Sequence, residues 1–142
     1  MPDNPRIFTV DEANRTLPLV RRIVHDLMTE HQAWRESLAR FELVSAGVGL
    51  ARGSGAEADA LQREVAAHAG AIERYLDELG AVGCLFKGFE AGLVDFYSLR
   101  ADRLVFLCWR EGEDRITHWH ELDSGFTGRQ PVDSHLLSGT TP

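Results

Sequence analysis

A chain of 142 residues, 44% hydrophobic and 26% charged, holds one core's worth of apolar side chains and too many of them for wholesale disorder. Fifteen basic against 22 acidic residues leave a net charge of −7, which argues against a nucleic-acid partner because such surfaces must neutralise phosphates. The longest apolar runs, such as Leu104 to Trp109, fall far short of the roughly 20 residues that span a membrane, and Met1 to Val10 carries no basic start followed by an apolar stretch.

The first helix is legible from its cap. Thr9 followed three residues later by Glu12 makes a capping box. Ala13, Leu17, Val20, Val24, Leu27, His31, Trp34, Leu38 and Phe41 then recur at alternating steps of four and three. That is a 3.5-residue period, the pattern of a coiled-coil seam. Pro18 lies within the pattern without disturbing its phase. It predicts either a kink near Asn14 to Pro18 or a short helix that restarts at Pro18. Ser45 to Ala56, with its glycines and serines, reads as a flexible linker (45–56). A second seam follows at Leu61, Val65, His68, Ile72, Tyr75 and Leu79, and Gly80 is the expected stop. Two seams of one period joined by a short linker predict an antiparallel, coiled-coil-like helical hairpin over residues 10–80. A helix from Val10 to Val44 is about 50 Å long, whereas a compact domain of this size has a radius of gyration of about 15 Å. The hairpin is therefore expected to extend away or to pair with a second chain.

From Ala81 the composition changes. Leu93 to Tyr97, Leu104 to Trp109 and Ile116 to Glu121 are rich in β-branched and aromatic residues, with a further short strand at Cys84 to Phe86. The polar turn Arg110 to Arg115 predicts that the last two long runs form a β-hairpin, with Leu93 to Tyr97 beside it. Gly125 to Pro131 reads as a loop anchored by Phe126, and residues 133–142 as a frayed tail. The expected fold is α+β: a single domain over 1–132, with the helical hairpin at 10–80 and a small antiparallel sheet in 81–131.

Several short blocks occur in a characteristic order. They are Phe8-Thr9, Asp11 to Asn14, Leu17-Pro18, Gly92 to Phe96, Leu107 to Arg110, Gly112-Glu113, Trp119 to Glu121, Gly125-Phe126 and Gly128 to Pro131. In these the chain resembles the bacterial family catalogued as domain of unknown function 2203, over about residues 7 to 132. The resemblance implies no activity, cofactor or catalytic residue, because that family is uncharacterised.

The sharpest chemical pattern is His118-Trp119-His120-Glu121. On a strand, residues i and i+2 share a face, so the two imidazoles project together. With Asp95 from a neighbouring strand, or Glu121 if the strand ends there, they make a candidate site for a divalent transition metal such as zinc. The competing reading has both histidines as half-exposed hairpin residues that stack on Trp109 and bond to backbone. Cys108 shares the histidine face only if the connection between the strands has an odd number of residues. With an even number it faces away, and Leu107 and Val105 flank the histidines instead; in either case Cys84 and Cys108 read as small buried residues in a reducing cytoplasm.

A second histidine pair, His31 and His68, is expected at one level of the helical seam, as a pH-sensitive pair or as edge residues bonded to carboxylates. No Glu-x-x-His spacing of di-iron bundles is present, and no Gly-x-Ser-x-Gly. Trp109, Arg110 and Arg129 are candidate ligand contacts; Arg110, Arg115 and Arg129 could bind an anionic ligand or pair with Glu111, Glu113 and Asp114. The chain is therefore read as a cytoplasmic, non-catalytic assembly module. It would self-associate as a homodimer through Leu27, Trp34, Leu38 and Phe41, with no membrane or nucleic-acid partner. The alternative is a metal-binding protein or metal-assisted hydrolase built on His118 and His120.

Overall fold

A computed structural model describes residues 5–47 and 55–138. It has two long helices, α1 (Val10–Ser45) and α2 (Gly55–Val82), followed by β1 (Cys84–Phe86), β2 (Leu93–Arg100), β3 (Arg103–Arg110), β4 (His118–His120) and β5 (Gln130–Pro131). The strands form one antiparallel sheet in sequence order. Most of the linker expected at 45–56 lies outside the described residues. So does the end of the expected tail, residues 139–142.

The chain resolves into two compact units. One is His25–Asp77, which pairs the C-terminal part of α1 with the N-terminal part of α2. Here Glu30 meets His68, and Arg40 lies 3.7 Å from Glu64, so the helices run antiparallel. Leu27, Ser37, Val44, Leu61 and Ala71 are buried along the line between them.

The other unit joins the chain up to Val24 with everything from Glu78 onward. The capping box forms reciprocally: the Thr9 N–H donates to Glu12 Oε1 at 2.9 Å, and the Glu12 N–H donates to Thr9 Oγ1 at 3.0 Å. Those bonds hold the Glu12 carboxyl below its usual range, the Thr9 backbone bond contributing most. Pro18 neither ends nor restarts α1, which is continuous through it. The backbone donor that proline lacks is one bond among many in a helix of 36 residues. Ala13, Leu17, Val20, Ile23 and Val24 bury the inner side of the first turns, while Phe8 meets Phe96 edge to face with ring centroids 5.1 Å apart. Asn14 fastens the helix to the segment before β4. Its Oδ1 accepts from the Ile116 N–H at 2.8 Å, and its Nδ2 donates to the Ile116 carbonyl at 3.4 Å.

Gly80 does not stop α2. The helix runs to Val82, and Gly83, at φ 107°, turns the chain out of it. An alanine Cβ at Gly83 would stand 3.0 Å from Arg6 Cδ and 3.3 Å from Phe8 Cζ, so the tight approach requires glycine. Strands β2 and β3 are longer than the sequence suggested. They meet in a two-residue turn at Ala101-Asp102, both at positive φ, between the paired Arg100 and Arg103. The expected pairing of β3 with β4 is present. The chain after Val132 does not fray at once. Asp133 accepts two bonds from Arg100, the Leu137 N–H donates to the Leu99 carbonyl, and Leu136 is buried.

Candidate functional site

The register of the sheet decides which side chains can act together. Asp95 pairs with Cys108, and Cys108 with His118; Tyr97 pairs with Phe106, and Phe106 with His120. Directly paired residues share a face, so these six alternate with the row Val94, Phe96, Leu107, Trp109 and Trp119 on the other. The pairing of Cys108 with His118 leaves an odd number of residues between them, which brings Cys108 to the histidine face. Gly125 and the exposed Leu122 and Phe126 rim a cleft of about 240 Å³ on this face; Lys87, Asp95, Cys108 and His120 line it.

Among the described residues, Asp95, Cys108 and His120 bring one donor atom each within 4.8 Å of the others, and all three are buried. His120 Nε2 lies 3.1 Å from Asp95 Oδ1, and its Nδ1 is 2.7 Å from the Glu121 carbonyl oxygen. The ring also packs 5.5 Å from Phe106, centroid to centroid. Burial pushes the imidazole pKa down. The bonds to Asp95, to the Cys108 sulfur and to the Glu121 carbonyl, with the Asp95 charge, outweigh it and carry the value up to about 10. Lys87, the one lysine of the chain, places Nζ 3.7 Å from Asp95 Oδ2 and 4.4 Å from the Phe106 ring centre. One buried carboxylate therefore faces two cationic groups.

This is not a nucleophilic relay. A cysteine–histidine–carboxylate triad sets thiol and carboxylate on opposite ring nitrogens. In this protein Asp95 takes Nε2, and the Glu121 carbonyl takes Nδ1.

The other residues singled out from sequence are placed as follows. His118 shares the face but not the cluster, because its Nδ1 turns to the Thr117 hydroxyl at 2.9 Å. Glu121 follows the last residue of β4, and its carboxylate pairs with Arg103 at 2.6 Å. Of the set His118, His120, Asp95 and Glu121, the structure thus brings together His120 and Asp95, and adds Cys108. Trp109 is a core residue, fully buried, with Nε1 donating to the Glu113 carbonyl, so it offers no surface to a ligand. Arg129 is held by Glu113 at 2.7 Å and by the Cys108 carbonyl, and the Arg110 N–H also donates to Glu113. His68 meets Glu30, and the ring of His31 stacks on Trp34 at 5.8 Å. Burial, then the charge of Arg35, lowers the His31 pKa. Lys87 is the member that sequence reasoning missed. It lies just past β1, where alternation along Leu85 and Lys87 carries it to the face of Asp95.

The family model of an uncharacterised conserved protein, DUF2203, matches residues 6–132. No curated protein and no solved structure matches the chain. Among the described residues, no helix is long and apolar enough to cross a membrane.

Proposed function

The chain belongs to the DUF2203 family of uncharacterised conserved proteins, and for this member we propose the role of an assembly module that joins to a second copy through its helical hairpin. One observation carries the reading: within His25–Asp77 the apolar seam is only half covered. Trp34, Leu38 and Phe41 of α1, and Val65, Ile72 and Tyr75 of α2, all remain partly accessible. Leu43 and Leu76 are exposed at 52% and 37%. Two helices cover each other along one line, here Leu27, Ser37, Val44, Leu61 and Ala71, and leave the flanks of a wide stripe to water. A two-fold arrangement of two hairpins covers the flanks, because each copy presents the same stripe to the other.

Leu38 tests the reading. Burying a leucine is worth about 1.5–3 kcal/mol, and a two-fold interface counts each substitution twice. Leu38→Glu removes that burial and places a charge in the seam, so the dissociation constant is expected to rise by about 100-fold or more. Leu19→Glu is the control, since Leu19 is 45% exposed and lies outside the seam. Sedimentation velocity should show the Leu38→Glu protein as a monomer and Leu19→Glu unchanged. A Leu38→Glu protein that sediments as the unmodified protein does would contradict the proposal.

A further inference from the structure

We infer that Asp95, Cys108 and His120 form a mononuclear site for a borderline divalent transition metal of the zinc type, with a fourth ligand position opening into the cleft beside Leu122 and Phe126. The inference is independent of whether the chain self-associates.

The donor set comes first. A thiolate, an imidazole and a carboxylate are the ligand types that select zinc and its neighbours over magnesium or calcium, which prefer oxygen alone. All three sit on paired strands rather than on loops, and the antiparallel ladder fixes where each side chain starts. The histidine is oriented as metal-bound histidines are: Nδ1 bonds to a backbone carbonyl, which leaves Nε2 for the ion. A tetrahedral zinc site sets nitrogen and oxygen ligands about 3.3 Å apart, from metal–ligand bonds of about 2.0–2.1 Å. His120 Nε2 and Asp95 Oδ1 are 3.1 Å apart already. Sulfur needs about 3.6 Å to each of these, given a zinc–sulfur bond of about 2.3 Å. All three donor atoms lie within 4.8 Å of one another, so small side-chain rotations close the site.

Metal-bound cysteine is a thiolate and metal-bound histidine is neutral, so any protons these groups carry pass to solvent on loading. Lys87 stays on the outer oxygen of Asp95, 3.7 Å away, and orients it. With three protein ligands and a cleft of about 240 Å³ that the same residues line, the fourth position is open to water or a small ligand. The rival arrangement needs no metal: Asp95 is satisfied by His120 and Lys87 as a buried ion pair.

Cobalt(II) separates the two, because a cobalt–thiolate bond produces a charge-transfer band in the near ultraviolet. Chelator-treated, reduced, untagged protein is titrated with cobalt(II) and then with zinc(II). The expected result is a band saturating at one equivalent per chain and erased by one equivalent of zinc. Cys108→Ser should abolish it, and Asp95→Asn and His120→Gln should weaken binding by about tenfold or more. His118→Gln and Cys84→Ser should bind like the unmodified protein. Circular dichroism checks that each variant is folded, and the titration of the unmodified protein stands even where a variant is not. The absence of a saturable band in folded unmodified protein would overturn the site in favour of the ion pair. A band that survives in Cys108→Ser would overturn it as well.

Discussion

Asn14 ties α1 to the segment before β4, and its removal has a calculable effect. The side chain reaches from the first turns of α1 to Ile116, where it satisfies both the N–H, at 2.8 Å, and the carbonyl, at 3.4 Å. Ile116 is 1% exposed, so water does not replace these bonds in Asn14→Ala. A buried polar group left unmade costs about 1–3 kcal/mol, and the longer bond to the carbonyl is the weaker of the two. The substitution is expected to destabilise by about 2–4 kcal/mol in total. In a chain of this size that lowers the melting temperature by roughly 6–16 °C. Asn14→Asp separates the two contacts. It keeps an acceptor for the Ile116 N–H, loses the donor, and adds a negative charge near a helix N-terminus, where such charge is favourable. Its cost should be nearer 1 kcal/mol, on the order of one lost hydrogen bond. Thermal unfolding followed by circular dichroism reads both. Melting of Asn14→Ala within about 2 °C of the unmodified protein, well below the expected shift, would refute the clamp, as would an aspartate variant less stable than the alanine one.

Two glycines near the end of α2 should respond with opposite signs. Gly83→Ala forces a side chain into a left-handed backbone and against Arg6 and Phe8, and should cost about 1–3 kcal/mol in denaturant unfolding. Gly80→Ala lies in regular helix with nothing within 4 Å of the new methyl, and should stabilise by about 0.5–1 kcal/mol. The Glu113–Arg129 pair should shape the acid limb of stability. Burial raises the Glu113 pKa, but the Arg129 hydrogen bond, the Arg110 N–H and the neighbouring positive charges carry it below the ordinary 4.5. In the folded state it therefore holds fewer protons than in the unfolded chain, so its contribution is present above 4.5 and is lost as pH falls through the folded value. The melting-temperature gap between the unmodified protein and Glu113→Gln should accordingly narrow on going from about pH 6 to pH 3, and a constant gap would count against the pairing.

Sequence carried the helices well because their signals are local. The alternating steps from Ala13 to Phe41 and the Thr9–Glu12 box are properties of one segment, and both correspond to structure in α1. The sheet was legible in composition but not in its joints. A two-residue turn ordinarily advertises itself with Asn-Gly, and Ala101-Asp102 adopts positive φ without that signal, so β2 and β3 were read too short. The chemistry was harder still, because it depends on register. Which face Cys108 occupies turns on the parity of the connection to β4, which the pairing with His118 decides and composition does not. Strand alternation places the Cβ of His118 correctly, but its ring then turns to Thr117, a choice made beyond Cβ. Lys87 carried no motif at all; it matters because β1 lies against β2 and brings it to Asp95. Composition pointed to Gly80 as the helix stop, but it is Gly83 that takes the positive φ that ends the helix.

The account rests above all on the half-covered seam of the helical hairpin, and the molar mass of the unmodified protein tests it most directly. Light scattering on a size-exclusion column, run at several micromolar loadings in reducing buffer, is expected to return twice the chain mass of 15.8 kDa at every loading. A mass of 15.8 kDa throughout would show that the exposed stripe stays in water, and would contradict the account.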